Sequence, residues 1–215
     1  MTQPRLRFGA FIAPHTPPEE HPALALEEDM DRVVWLDKLG FDEAWIGEHH
    51  AGGWEITSSP ELFIAAVSQR TQNIRLGTGV SSLPYHNLLT LADRIRQIDY
   101  HTKGRAMFGV GPGSLPSDSH MMGLETAKAR DQMDEAIEPL VRLLNGETVT
   151  AKSDWFELRD AQLQFVSYNE RGVEIAVASQ VSPTGATAAG KHGLGLLSIG
   201  ATSAGGFNAL ASNWA

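Results

Sequence analysis

The stretch "WIGEHHAGGWEITSSP", residues 45 to 60, ends an apolar run with a glutamate and two histidines, Glu48, His49 and His50. Histidine exchanges protons near neutral pH and is also the commonest metal ligand, so both chemistries must be weighed. Metal binding fails on spacing. Adjacent residues at the end of a strand point to opposite faces and cannot grip one ion together, unlike an i, i+4 pair on a helix. No other segment supplies a matching ligand set, and the chain contains no cysteine, so no metal site is expected. His49, next to Glu48 at a strand end, is the candidate for proton transfer in a pocket. His50 is expected to pack and hydrogen-bond beneath the loop.

Glycines form a second constellation. Gly77 and Gly79 interrupt "LGTGVSSLP", and Gly109, Gly111 and Gly113 interrupt "FGVGPG". Glycine inside a strand pattern marks a bulge or a close backbone approach. Two readings stay open at this level: a wall cleared for a flat cofactor, or close packing between strands. The second segment is not a dinucleotide fingerprint, because Ser114 occupies the position of the third glycine. Further on, "SQVSPTG" places Ser182 as the cap of a helix that starts at Pro183, and a helix N-terminus offers free N–H groups to a phosphate. Arg130, at the start of a long helix, is a possible side-chain partner for the same anion.

These residues need a scaffold that brings strand ends together. Short β-branched runs alternate with longer amphipathic ones, the signature of βα units. Strands are expected at residues 6 to 13, in "EAWIG", at 74 to 80, in "AMFGVGPG", in "VEIAVAS" and in "LGLLSIGA". Helices are expected at 25 to 39, from Pro60 capped by Ser59, over "LLTLADRIRQIDYHTKG", at 124 to 145 and over "PTGATAAGKHG". A hairpin fits the mixed signals after Asn145-Gly146, and "GFNALASNWA" begins a sixth helix. His15, Glu48 to His50, Tyr85 with His86, the "GPGSLPSDSH" loop and "SQVSPTG" all follow strands. In a parallel α/β fold they share one rim, the usual place for an active site. Six parallel units suit either an open doubly wound sheet or a (β/α)8 barrel, and the position of the polar residues favours the barrel. At 215 residues the chain is short of the roughly 250 typical of eight units, so the single domain, 1–215, is expected to be an incomplete barrel.

Composition narrows the partners. The net charge of −9 and the scattering of the 17 Lys and Arg residues offer no basic face to nucleic acid or to an anionic membrane. The N-terminal "MTQPRLRFGAF" has no signal-peptide core, no apolar run reaches bilayer length, and a cytoplasmic protein is expected.

Together, "GFDEAWIGEHH", "IRLGTGVSSLPYHNLLTLADRIRQIDYHTKGRAMFGVGPG", the helix with Arg130 and "VASQVSPTGATAAGKHGLG" resemble the bacterial luciferase-like flavin-dependent monooxygenases. The likeness extends over nearly the whole chain. It implies a (β/α)8 barrel holding FMN at the C-terminal rim. It further implies that the FMN arrives reduced from a separate flavin reductase, reacts with O2 to a C4a-hydroperoxide and oxygenates a small apolar substrate. By the same resemblance His49 is the catalytic histidine beside the flavin and Glu48 helps to position the ring. Gly79 and Val80 match a strand-three bulge that often carries a non-proline cis peptide, and Gly111 matches the small residue near the reacting carbon. Arg130 matches a phosphate-binding arginine, and Val181 with Ser182 match the donors of the phosphate helix. Pro112 departs from the pattern, standing where luciferase has a further phosphate-binding arginine. The resemblance also implies a homodimer. Two alternatives stay open: a truncated relative that binds flavin without turnover, and a deazaflavin F420-dependent oxidoreductase of the same superfamily.

Overall fold

The computed structural model describes residues 5–13, 15–179, 183–198 and 203–215. β1 (Gly9–Ile12), β2 (Glu43–Ile46), β3 (Arg75–Ser82), β4 (Ala106–Gly111), β7 (Glu174–Ala178) and β8 (Gly195–Leu197) form one sheet in that order, and every pairing in it is parallel. β5 (Val149–Lys152) and β6 (Glu157–Ala161) form the expected hairpin, which is antiparallel and separate from the sheet. The longer helices α1 (Pro22–Leu39), α2 (Pro60–Ser68), α3 (Leu88–His101), α5 (Ala129–Leu144) and α6 (Pro183–Lys191) alternate with the strands, and α7 (Ala204–Trp214) closes the chain.

Strand order follows chain order without a reversal. On the strands, Ala44, Ile46, Leu76, Phe108 and Val177 are buried, and they share one core with the helix residues Val33, Ile64, Leu91, Ile95, Ile137 and Leu140. These strand positions have one parity, so the helices cover one face of the sheet. A doubly wound sheet would reverse its order and carry helices on both faces. The architecture is therefore of the (β/α)8 type, with six barrel strands forming a half-barrel between β1 and β8. Among the described residues no helix is long and apolar enough to cross a membrane.

Local chemistry explains most element boundaries. α1 begins at Pro22 rather than at residue 25, because His21 caps it: its Nδ1 accepts from the Ala23 amide at 3.2 Å. It stops at Gly40, whose φ of +80° reverses the chain at no steric cost. The Asp37 carboxylate then accepts from the amides of Gln72, Asn73 and Ile74 at 2.7 to 2.9 Å, which pins the entry to β3. Arg105 grips the same turn through the carbonyl oxygens of Ser68, Thr71, Ile74 and Thr102. Asn87 caps α3 by accepting from the Thr90 amide at 3.1 Å.

Two expectations are corrected. Ser59 occupies the N-cap position of α2, but its hydroxyl donates to Glu61 Oε2 at 2.8 Å and makes no backbone cap bond. The Glu61 carboxylate draws the hydroxyl into a rotamer in which its oxygen does not reach the amides it would accept from. The helix expected over 124 to 145 begins only at Ala129. A short helix α4 (Pro116–Met121) ends before Gly123, whose φ is +69°, and Glu125 is extended before a single 3-10 turn at Thr126–Lys128. The loop after β4 thus folds inward, burying Asp118 and Ser119.

Candidate active site

After Ile46 the chain leaves β2 and is tied back to its neighbours. Gly47 N–H donates to Ile12 O at 3.2 Å, and His49 N–H donates to Thr57 O at 3.1 Å. The loop between returns across the end of β1, where His15 and Glu55 form an antiparallel bridge and His15 Nε2 lies 3.1 Å from Glu55 Oε1. His49 and His50 consequently diverge, as adjacency requires.

His49 turns toward α4. Its Nδ1 lies 3.1 Å from Asp118 Oδ2, while the other oxygen of that carboxylate accepts from the His50 amide at 3.0 Å. A carboxylate accepts only, so Nδ1 carries the proton. Among the described residues Nε2 has no hydrogen bond, with Glu55 Oε1 3.7 Å away. Asp118 is fully buried, whereas the His49 ring keeps about a quarter of its surface exposed. A ring fixed in one tautomer with its second nitrogen open is equipped to take or give a proton.

His50 turns the other way. Its Nε2 lies 3.0 Å from Glu48 Oε1, and its ring meets Tyr85 edge-on at 5.8 Å. Neither histidine is merely packed or solvated; each holds a buried carboxylate. Glu48 accepts also from His86 Nε2 at 2.8 Å and from the Ser82 amide at 2.6 Å. Burial alone would raise its pKa, but hydrogen bonds from His50 and His86 overcome that and bring it down to about 2. The same contact with Glu48 raises the pKa of His50 against the opposing effect of burial. The carboxylate of Glu48 is wholly enclosed and committed to these three donors.

The glycines divide between the two readings. A Cβ on Gly77 would meet the Trp45 ring at 2.6 Å, and one on Gly109 would meet Thr78 O at 2.2 Å, so these two serve packing within the sheet. One on Gly111 would meet Val80 Cγ2 at 2.5 Å. The Gly79–Val80 peptide is cis, as the resemblance implies, and the β3–β4 register jumps from Thr78 to Ser81 around it. Beside this bulge the Ser81 hydroxyl is buried and has no hydrogen-bond partner among the described residues. Gly113, with φ of +78°, lets the chain pass the Tyr85 hydroxyl, 2.3 Å from where a Cβ would stand.

Arg130 opens α5 at the rim end of that helix, exposed and without an ion-pair partner among the described residues. Val181 and Ser182 lie outside the described residues. Asp118, Glu55 and Arg94 were not singled out by the sequence. Asp118 lies in the "GPGSLPSDSH" loop, which the sequence places on the rim as a segment without picking out this residue, and Arg94 is one of several charged residues on an amphipathic helix.

Comparison with known proteins bears on this rim. A family model described as luciferase-like monooxygenase matches residues 6–215. The chain is 48% identical over 210 residues to limonene 1,2-monooxygenase of Rhodococcus erythropolis, covering 98% of this chain and 54% of that protein. It is 49% identical over 197 residues to 4-hydroxyprotoasukamycin monooxygenase of Streptomyces nodosus subsp. asukaensis, covering 91% of this chain and 53% of that one. The chain spans about half the length of these relatives. Among solved structures, the fold matches the oxygenating constituent of 3,6-diketocamphane monooxygenase from Pseudomonas putida, a type II Baeyer-Villiger enzyme in complex with FMN, with a TM-score of 0.85 at 23% identity. That match covers 97% of this chain and 61% of the other.

Proposed function

The chain belongs to the luciferase-like monooxygenase family, and we propose on that basis that its rim binds reduced FMN and uses it with O2 to oxygenate a small apolar organic substrate. Bound FMN would supply the reduced ring that reacts with O2. Everything else falls to the chain's own groups. His49 holds or delivers a proton at Nε2, and Asp118 keeps that nitrogen available by fixing Nδ1–H. Gly79, Val80 and Gly111 border the ring, while Arg130, Val181 and Ser182 hold the phosphate. Glu48 would help to position the ring indirectly, by holding His50, His86 and the Ser82 amide around it. The donor set fits such a cofactor: a buried Ser81 hydroxyl without a partner, and an Arg130 guanidinium unpaired among the described residues. A separate flavin reductase supplies the FMN already reduced, and the assembly is a homodimer.

The observation that carries the reading is the Asp118–His49 pair, which leaves one ring nitrogen unbonded at the strand ends. Anaerobic titration with photoreduced FMN, followed by mixing with O2 and a cyclic terpene, is expected to give saturable binding and an oxygenated product by mass spectrometry. His49→Ala is expected to keep FMN binding and to lose about 100-fold in product formation, the scale of one general acid–base group. Turnover unchanged in His49→Ala would remove that residue from the chemistry. Saturable binding of F420 but not FMN would transfer the rim to deazaflavin-dependent hydride transfer.

A second reading is flavin binding without turnover. Phe11 is half exposed where its ring lies against Gly79, and oxygen transfer needs water kept out of such a face. Saturable FMN binding with no oxygenated product from terpenes, ketones or aldehydes would select this reading.

A further inference from the structure

A chain of side-chain contacts runs from the outer helices to the rim. Ser59 Oγ donates to Glu61 Oε2 at 2.8 Å, and Glu61 Oε1 pairs with Arg94 Nε at 3.5 Å. Arg94 Nη2 lies 3.0 Å from His86 Nδ1, and His86 Nε2 lies 2.8 Å from Glu48 Oε1. Guanidinium has only donors, so His86 Nδ1 must present its lone pair to Arg94. The single ring proton is then on Nε2, aimed at Glu48. Reversing the tautomer would set N–H against N–H at Arg94 and a lone pair against a carboxylate at Glu48.

We propose that Arg94 and His86 are positioning residues for the flavin rim: Arg94 locks His86 as its Nε2–H tautomer, and His86 holds Glu48 in the orientation that fixes His50 and the Ser82 amide. The functional half of this rests on the flavin reading. Glu48 joins the two segments that border the site, the loop after β2 through His50 and the end of β3 through Ser82, two residues beyond Val80. Among the described residues Arg94 makes no hydrogen bond to either segment's backbone, and its link to Glu48 passes through one imidazole. His86 keeps only 13% of its side-chain surface exposed and has both nitrogens committed, so its task is to hold rather than to exchange a proton with the solvent.

Glutamine separates the holding role from the alternatives. Its amide reproduces the Nε2–H donor toward Glu48 and offers an oxygen to Arg94, but it cannot titrate. His86→Gln is expected to bind reduced FMN within about threefold of the parent chain, and His86→Leu to bind about tenfold more weakly, the scale of one charge-assisted hydrogen bond. Long-range proton–nitrogen NMR of the histidine rings gives a readout independent of flavin. The parent chain is expected to show His86 as the Nε2–H form with Nδ1 unprotonated, and Arg94→Met to keep Nε2–H toward Glu48 but show Nδ1 partly protonated, while His49 is unchanged. An Nδ1–H or doubly protonated His86 in the parent chain overturns the lock. His86→Gln as weak as His86→Leu overturns the holding role. Failure of the parent chain to bind FMN removes the flavin reading and the functional half with it, whereas the tautomer result judges the lock by itself.

Discussion

At the scale of single residues, two buried carboxylates organise the rim. Asp118 accepts from the His49 ring and the His50 amide at once, so its removal strands two donors in a water-poor site. Asp118→Ala is expected to destabilise the chain by about 2 to 3 kcal/mol, read from urea midpoints, because a buried donor left unpaired costs its desolvation in full. Glu48 and His50 give the fold a defined pH response. The pKa of Glu48 falls from the usual 4.5 to about 2, so its contribution is present above 4.5 and is lost as pH falls toward 2. His50 is shifted the opposite way, above its usual 6.5, so its contribution is complete below 6.5 and is lost as pH rises through the shifted value. Stability is therefore expected to peak between 4.5 and 6.5, and Glu48→Gln to flatten both flanks of the urea-midpoint profile against pH. An unchanged acid flank in that variant would mean that other carboxylates set it.

At the scale of elements, β3 and β4 approach so closely that their glycines are not equivalent. A methyl on Gly109 would strike the Thr78 carbonyl at 2.2 Å, a backbone atom in the middle of a ladder. On Gly111 it would meet Val80 Cγ2 at 2.5 Å, the end of a side chain that can turn about χ1. Gly109→Ala is expected to cost about 2 to 3 kcal/mol and Gly111→Ala about 1 kcal/mol or less, an order checked by thermal melts. The reverse order would mean that Val80 is held more rigidly than the ladder beside it. The same strands show how much of the element pattern was legible. Alternation and glycine placement located β3 and β4, but the letters could not tell packing glycines from those of an open wall. That distinction depends on Trp45 and Leu197, which reach Gly77 and Gly109 from other strands.

Taken together, the described residues form a half-barrel with part of its concave face exposed. Phe11 is 49% exposed against Gly79, and β1 and β8 have one strand neighbour each among the described residues. Exposed aromatic surface beside an unpaired strand edge invites association. Phe11→Ser is expected to change stability by less than about 1 kcal/mol, since half of the ring is already hydrated, and to lower both the fluorescence of bound anilinonaphthalene sulfonate and the concentration-dependent light scattering. No change in either signal would show that this face is not the apolar surface that matters.

The alternation of strands and helices, the shared rim of the strand-end residues and the divergence of His49 from His50 are written in the chain itself, because each follows from periodicity and adjacency. The sequence also carried the family likeness that the comparisons bear out. The partner that each rim residue takes emerges with the folded chain. Asp118 reaches His49 across 69 positions, and Glu48 reaches His86 across 38. No local pattern encodes such pairs. They exist because parallel strands in chain order bring successive loops together at one end, where a carboxylate removed from water is stable only among the donors that the fold has gathered around it.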